Sequence, residues 1–299
     1  MRNNDGGQLS RRAGRRRVVT LFAAIVTTAS VGVAVASTIP AAAASAPICV
    51  STVHPRAAAR MSADIASTLA QRPHSVVAIA ASDPNLGVTC ALNTTAHFYS
   101  ASVIKVTILS ALIYKIGGVG HLTTAQRNLA YSMITQSNNS SATALWNEAG
   151  MGAMQNFLNR AGMHSTVLSS AWGLTRITAQ DELTQLRDLS YPSLLGPYAR
   201  AYILSLMAQV TSSQRWGVSR AAGPGVTVHI KNGWLGYPAS YDWNINSLGV
   251  FTGKNINYQM AVLTSPAAGG QSESYGIQTV QDAAGIINAN LAGLYRLFG

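Results

Sequence analysis

The segment YSASVIKVTILSALIY, residues Tyr99 to Tyr114, decides the fold. Its side chains are almost all small, branched or aromatic, which predicts a helix that is buried on every side. Lys105 is the only residue with a formal charge between Asp83 and Lys115. Because residues three apart on a helix lie on one face, Ser102 and Lys105 point the same way. The segment therefore predicts a central helix that holds a hydroxyl beside an amine.

A lysine in a dry environment favours its neutral form, because burial penalises the charge. A neutral Lys105 would be a base beside Ser102, the arrangement that activates a serine nucleophile. Ser102 also lies at the start of the predicted helix, where free N–H groups stabilise an oxyanion. The alternative is a chance pattern in which the ammonium of Lys105 reaches solvent along its alkyl stem.

Two further short motifs follow along the chain. Ser137-Asn138-Asn139 comes after the next predicted helix, and Lys231-Asn232-Gly233 ends a β-branched strand. The ordered set S-x-x-K, S-x-N, K-x-G resembles that of the penicillin-recognising serine hydrolases, chiefly class A beta-lactamases, and the DD-peptidases. In element order the resemblance covers residues 47–299.

The resemblance implies four catalytic roles. Ser102 would be the acylated nucleophile and Lys105 its base, directly or through water. Ser137 would relay a proton to the leaving nitrogen. Lys231 would set the electrostatics of the site and help to hold a substrate carboxylate. From the residues alone, Ser137 could instead be a helix cap and Lys231 a surface charge.

The resemblance also implies binding roles. The backbone N–H groups of Ser102 and Trp234 would form the oxyanion hole, and Asn139 would bind the side-chain amide of the substrate. Asn232 would contact the substrate, and Gly233 would let it lie against the strand edge. Structural alternatives remain open for several of these positions: a helix cap for Asn139, a bulge for Gly233, and structural roles for Asn138, Asn232 and His229.

Three departures from the family pattern concern the acylation site. Asn138 stands where an Asp is usual, and Asn232 stands where a Thr or Ser hydroxyl is usual. Only 34 residues separate Ser102 from Ser137, fewer than in class A enzymes, which predicts a trimmed helical lobe.

A fourth departure concerns deacylation. Class A enzymes carry a Glu that activates the deacylating water, but Met163–Thr178, the corresponding segment, contains no acid. Asp181 and Glu182 are typical first-turn helix acids, and Glu148 lies within a helix. We therefore predict that Ser102 forms an acyl-enzyme whose hydrolysis is slow.

The element order predicts an α/β protein of the α+β sandwich type. An antiparallel five-stranded sheet would carry the N- and C-terminal helices, and an all-helical lobe, about residues 100–222, would be inserted in it. The predicted helices are Pro55–Arg72, Ser100–Ile116, Thr123–Ile134, Ser140–Ala149, Gly152–Ala161, Thr178–Leu189, Tyr198–Gln209 and Ile277–Phe298. The predicted strands are Ser75–Ala81, Gly87–Leu92, Val226–Lys231, Ser240–Thr252 and Ile256–Thr264.

Residues 1–46 read as a signal peptide. Arg11 to Arg17 is rich in arginine, Val18 to Ala36 is apolar, and Ala41 to Ala46 supplies small residues for cleavage. We expect a secreted or cell-envelope bacterial protein, exported by the general or the twin-arginine route. The alternative is an uncleaved membrane anchor, since about 20 apolar residues can span a bilayer.

The cysteines and the charge narrow the function classes. Cys49 and Cys90 are expected to form a disulfide in an oxidising compartment, or else to be two separate buried thiols. The formal charge of +11 falls to +6 once residues 1–46 are set aside, without a basic stripe that would bind nucleic acid. We expect no metal, no cofactor and a monomer.

The expected substrate is a small beta-lactam or a cell-wall peptide. Three functions compete: a hydrolase of beta-lactams or related amides, a DD-peptidase or penicillin-binding protein, and a non-catalytic ligand-binding protein with this fold. Four cations are candidates for binding a substrate carboxylate: Arg176, Arg215, Arg220 and Lys254.

Overall fold

The computed structural model describes residues 46–237 and 239–298, so the predicted signal peptide, apart from Ala46, lies outside the described residues. The strands are β1 Cys49–Ser51, β2 Ser75–Asp83, β3 Val88–Leu92, β4 Phe98–Tyr99, β5 Arg176–Ile177, β6 Thr227–Tyr237, β7 Asp242–Gly253 and β8 Ile256–Pro266. Six of them form an antiparallel sheet in the order β1-β3-β2-β8-β7-β6, and β4 pairs with β5 separately.

The sheet has one strand more than the five predicted. The additional strand, β1, has only three residues, too few to show an alternating pattern. Its position comes from tertiary pairing, since Cys49 lies directly opposite Cys90 on β3. A disulfide joins the two residues, which confirms the predicted pair.

The helices follow the predicted order. They are α1 Pro55–Ala70, α2 Ile104–Lys115, α3 Thr124–Thr135, α4 Asn139–Ala149, α5 Met151–Ala161, α6 Ala179–Ser190, α7 Pro197–Ala208 and α8 Glu273–Phe298. Helices α1 and α8 pack against each other beside the sheet, and α2 to α7 lie between β4 and β6 in the chain. Among residues 46–237 and 239–298, none of the helices combines the length and apolar character that a membrane crossing requires.

Side chains on the two faces of the sheet enter two different hydrophobic cores. On β2, Val77 and Ile79 pack in the core that includes α1 and α8. Ala78 and Ala80, at the alternate positions, pack in the core formed with the helical block. This alternation follows from the two-residue period of a strand. The sheet thus separates the terminal helices from α2 and its neighbours.

Helix α2 is the centre of the helical block. Residues 104–113 are all buried, as the apolar sequence predicts. The regular helix begins at Ile104 rather than at Ser100, because Ala101 adopts a left-handed conformation with φ of 47°. Residues Ala101–Val103 form a 3-10 turn instead. Ser102 therefore lies in a tight turn at the entrance to the helix.

Candidate active site

Ser102 and Lys105 face each other at the start of α2. Ser102 Oγ lies 2.9 Å from Lys105 Nζ. Ser102 is half-buried, whereas Lys105 is fully buried. A hydroxyl that can meet a ligand therefore contacts an amine that solvent does not reach.

Two buried amides on β7 hold the backbone that precedes Ser102. Asn246 Nδ2 donates to the carbonyl oxygens of Tyr99 and Ser100 at 2.8 and 3.1 Å. Asn244 Nδ2 also donates to Tyr99 O, at 2.8 Å. Neither asparagine was predicted from the sequence to serve the site. They could have been recognised as two amides at alternate positions of a largely apolar strand, because a buried amide requires a hydrogen-bond partner.

Ser137 lies between the two buried lysines of the site. Its carbonyl oxygen is 2.6 Å from Lys105 Nζ, and its Oγ is 3.1 Å from the same atom. Its Oγ also accepts a hydrogen bond from Lys231 Nζ at 2.9 Å. Ser137 has a φ of 58°, and backbone strain of this kind is common in residues that serve a site. Asn139 Oδ1 completes the surroundings of Lys105 Nζ at 2.8 Å.

Lys231 approaches the site from β6. The prediction that Lys231-Asn232-Gly233 ends this strand is wrong, because β6 continues to Tyr237 in register with β7. Local sequence could not show this, since two glycines within seven residues suggest a turn. Lys231 is fully buried and donates to Asn232 O at 2.7 Å as well as to Ser137. It is therefore not a surface charge.

Burial sets the electrostatics of both amines. It lowers the pKa of Lys105 to about 7. Burial, and then the nearby charge of Lys105, lower the pKa of Lys231 well below its usual range. Two buried ammonium groups around one hydroxyl repel each other and lack solvation, so the site favours a neutral amine.

The partners of Lys105 Nζ indicate where its lone pair points. A neutral amine has two N–H donors and one lone pair. Ser137 O and Asn139 Oδ1 can only accept, so they take the two donors. The lone pair then remains for a hydroxyl, and Ser102 Oγ is the nearer one. This arrangement suits Lys105 to remove a proton from Ser102.

Gly233 allows β6 to abut the turn that carries Ser102. A Cβ at this position would lie 2.8 Å from the backbone nitrogens of Ser102 and Val103, and 2.9 Å from Ser100 O. The close contact is therefore with the serine turn itself, and not only with a substrate as predicted. Trp234 follows Gly233, so the predicted oxyanion hole of Ser102 N and Trp234 N would lie where β6 meets the serine turn. The oxyanion hole itself stays a prediction.

Asn232 does not face the cluster around Ser137. Alternate side chains of a strand point to opposite faces, so Lys231 and Gly233 share one face and Asn232 lies on the other. Its Nδ2 donates to Gln214 O and Trp216 O at 2.8 and 3.0 Å, and it is fully buried. The structure therefore favours the structural interpretation of Asn232 over the predicted substrate contact.

Asn138 and His229 also have structural partners. Asn138 Oδ1 caps α4 by accepting from Ser141 N at 2.8 Å, so neither Ser137 nor Asn139 is the cap. His229 lies between the carbonyl oxygen of Leu204 and Thr252 Oγ1, at 2.8 Å from each. The hydroxyl and the amide on either side of Asn138 are thus left to the site.

A tryptophan from the acid-free segment lies over Lys105. The ring centroid of Trp172 is 5.0 Å from Lys105 Nζ. Its Nε1 donates to Thr143 Oγ1 on α4 at 3.1 Å. Trp172 was not predicted from the sequence, although it is the only Trp, Tyr or Phe between Met163 and Thr178.

Comparison with known proteins identifies the family. A sequence model of the beta-lactamase enzyme family matches residues 117–291, more than half of the chain. The chain belongs to this family. The matched residues include Ser137 and Lys231, whereas Ser102 and Lys105 precede them, so the pairing of the latter two rests on the geometry above. No curated protein sequence matches the chain.

Solved structures show the same fold. A class A beta-lactamase from Bacteroides cellulosilyticus has 16% identity and a TM-score of 0.67, covering 78% of this chain and 98% of that chain. PBP-A has 16% identity and a TM-score of 0.67, covering 79% and 97%. A class A beta-lactamase from Mycobacterium abscessus has 18% identity and a TM-score of 0.61, covering 75% and 96%. Together with the family match, the shared fold supports a serine hydrolase of the beta-lactamase or penicillin-binding type.

In this beta-lactamase family member, two of the three acids considered for deacylation have partners elsewhere. Asp181 accepts from Ser165 N and Thr166 Oγ1 at 3.0 and 2.7 Å, which anchors the start of the acid-free segment to α6. Glu148 accepts from Gln126 Nε2 at the surface. The hydrogen bonds of Ser102 and Lys105 within the described residues include neither acid.

Glu182 lies in the first turn of α6, as predicted, but it is fully buried. Neither of its side-chain oxygens has a hydrogen-bond partner in the described part of the chain. Burial, and then the neighbouring Asp181, raise the pKa of Glu182 to about 8. It is thus a neutral core acid at neutral pH, whereas the expected role, complementing the helix dipole, requires a charged carboxylate.

The four candidate cations differ in their surroundings. Arg215 is half-buried and donates to Ala208 O and Val228 O, both at 3.0 Å. Arg220 and Lys254 line surface cavities beside α8. Arg176 lies opposite Tyr99 in the β4–β5 pair, and Tyr99 precedes Ser102 by three residues. Of the four candidate cations, Arg176 is therefore the one that strand pairing places beside the serine turn.

Proposed function

We propose that this chain is a serine hydrolase that opens beta-lactams or related amides through an acyl-enzyme on Ser102 and deacylates slowly. The observation that carries the proposal is the cluster in which Lys105 contacts both Ser102 and Ser137, and Ser137 contacts Lys231. Such a chain of hydroxyls and buried amines can take a proton from the nucleophile and deliver one to the leaving nitrogen.

The proposed acylation conserves its protons as follows. Neutral Lys105 takes the proton of Ser102 Oγ as that oxygen attacks the amide carbon. Backbone N–H groups of Ser102 and Trp234 stabilise the resulting oxyanion. The C–N bond then breaks, and the nitrogen takes the proton of Ser137 Oγ. Ser137 is reprotonated by Lys105, which carries the proton removed from Ser102.

Deacylation requires an attacking water and a base for its proton. A general base accelerates such a step by roughly 10² to 10⁴. Asp181 and Glu148 are engaged elsewhere, and the neighbour of Lys105 that comes from the acid-free segment is the Trp172 ring rather than a carboxylate. These contacts support slow hydrolysis, with Lys105 as the remaining base.

Export and domain organisation are part of the proposal. Residues 1–46 would be a signal peptide, and residues 47–299 would form one hydrolase domain that acts as a secreted or cell-envelope monomer. The disulfide between Cys49 and Cys90 supports an oxidising compartment.

A DD-peptidase or penicillin-binding protein is the second candidate, and one observation favours it. Beta-lactamases and DD-peptidases share the acylation step and differ in how the acyl group leaves. The contacts of Ser102 and Lys105 include no carboxylate, which fits an enzyme whose acyl group leaves slowly. A non-catalytic binding protein would not require a serine that is half-exposed against a buried amine. The Ser102–Lys105 contact therefore weighs against that third reading.

Mass spectrometry of the intact protein tests the proposal. The purified chain is mixed with benzylpenicillin, and the protein adduct and the free product are followed over time, beside Ser102→Ala. We expect a lasting adduct on the wild type and none on the variant. Rapid product release without an adduct would refute slow deacylation, and the absence of both adduct and product would refute the acyl-enzyme.

A further inference from the structure

A cavity of about 500 Å³ adjoins the serine turn and is distinct from the cluster around Ser137. Its walls include Tyr99, Arg176, Tyr237, Asp242 and Asn244. Tyr99 precedes Ser102 by three residues, and Tyr237 follows Gly233 by four residues on β6. The cavity therefore lies beside both elements that meet at the proposed nucleophile.

The direction of β6 places the cavity at the far end of the site from Lys231. Gly233, which abuts Ser102, lies between Lys231 and Tyr237 on this strand. A strand rises about 3.3 Å per residue, so Tyr237 is about 13 Å beyond Gly233 and about 20 Å beyond Lys231. A substrate that is acylated on Ser102 with one end at Lys231 would extend its other end towards the cavity.

Arg176 brings an unpaired guanidinium to the cavity wall. Its side chain is exposed and has no hydrogen bond or ion pair among the residues that the structure describes. Asp242 also lies in the wall, but it forms no ion pair with Arg176, and its Oδ1 accepts from Gln271 N at 2.8 Å. His97, also in the wall, contacts Ser165 O at 2.8 Å. One guanidinium is thus left to meet a ligand.

Two tyrosines form part of the remaining wall. The ring centroids of Tyr99 and Tyr237 are 6.1 Å apart. Burial, and then Tyr99 and Asp242, raise the pKa of Tyr237, so its hydroxyl stays neutral. Asn244 fixes the backbone of Tyr99 through its 2.8 Å hydrogen bond. A guanidinium beside aromatic rings suits a carboxylate at the end of a short apolar chain.

We propose that this cavity binds a carboxylate on the acyl side of the substrate, at the end remote from Lys231, with Arg176 as its partner. The inference rests on the proposed function, because it assumes that Ser102 is acylated. It narrows the substrate class to amides whose acyl group carries a terminal carboxylate. Arg176 would then recognise the end of the substrate that lies away from Lys231.

Two penicillins test this directly. Both have the 6-aminopenicillanic acid nucleus, one acylated with adipic acid and the other with its terminal monoamide, so that they differ only in charge at the remote end. We measure the second-order rate constant of Ser102 acylation by quenched mass spectrometry. We expect the wild type to prefer the carboxylate by about tenfold, because a charge-assisted hydrogen bond is lost with the amide.

Variants separate a local contact from general attraction. Arg176→Ala should bring the two probes to the same rate, and Arg176→Lys should restore part of the preference. Arg160→Ala removes one exposed arginine from α5 and should keep the full preference. Melting curves check that each variant is folded.

The outcomes distinguish the two proposals. Acylation of the wild type at equal rates by both probes would overturn the carboxylate subsite and leave the proposed function standing. A preference that survives in Arg176→Ala would overturn the role of Arg176. Failure of both probes to acylate Ser102 in the wild type would overturn the proposed function, and the subsite with it.

Discussion

The rate of Ser102 acylation should rise with pH and level off near pH 8. Burial lowers the pKa of Lys105 to about 7, and only its neutral form can accept the Ser102 proton. The neutral fraction is then about 0.1 at pH 6 and about 0.9 at pH 8. The second-order rate constant should therefore increase about tenfold between these values and change little above pH 8.

An unshifted lysine would behave differently. With a pKa of about 10.4, the rate constant would rise about a hundredfold between pH 6 and 8 and continue upwards to pH 10. The two profiles differ most above pH 8, where one is flat and the other still climbs. The shape of the profile thus reports the environment of the amine.

The measurement uses quenched mass spectrometry of wild type with excess benzylpenicillin from pH 5.5 to 9. Lys105→Arg should acylate at least a hundredfold more slowly across this range, because a guanidinium cannot be deprotonated in a protein. Lys115→Arg, at an exposed lysine of the same helix, should reproduce the wild-type profile. A profile that is flat from pH 6 to 8, or one that climbs to pH 9 without levelling, would refute the assigned role of Lys105.

Three further predictions concern the surroundings of the site. Gly233→Ala should slow acylation by about a hundredfold, because contacts of 2.8 Å between the new Cβ and the backbone must open by about half an ångström. Gly152→Ala, in open space on α5, should be acylated at the wild-type rate, and equal rates in the two variants would contradict the close packing of Gly233 against the serine turn. Trp172→Ala should move the midpoint of the acylation pH profile upwards, because Lys105 becomes better solvated, and Trp172→Phe should move it less. An unmoved midpoint in Trp172→Ala would exclude an effect of the ring on the pKa of Lys105. Because the raised pKa of Glu182 makes the folded state bind a proton that the unfolded state releases, the free energy of unfolding of the wild type should fall between about pH 4.5 and 8 relative to that of Glu182→Gln. Urea unfolding at several pH values checks this. A difference between the two proteins that stays constant with pH would contradict a neutral buried acid.

Much of the site could be predicted from residue order. The uninterrupted apolar run around Lys105 implies burial, because such a helix has no polar face to turn to solvent. The position of Ser102 three residues earlier implies contact, because helical geometry fixes that spacing. The two cysteines outside residues 1–46 implied their disulfide. These inferences succeed because each depends on local geometry or on a small number of possible pairings.

Other features depend on tertiary contacts between distant segments. Strand β1 exists only through its pairing with β3, and β6 passes through Gly233 because β7 lies beside it. The ring of Trp172 reaches Lys105 because the turn that carries it packs on the segment before Ser102, where Ser100 N donates to Thr175 O at 2.8 Å.

The sequence by itself determined the class of fold, the contact between Ser102 and the buried Lys105, and the order of the three motifs, since these follow from periodicity and spacing along one chain. Only the tertiary structure decided that Ser137 joins two lysines and that Asn232 faces away from them. The physical reason is that Ser137 lies in a loop whose path depends on how α3 packs against α4, and that a side chain on a strand can point to either face. Which face meets the site depends on how the sheet packs against the helices, and no local pattern encodes that choice.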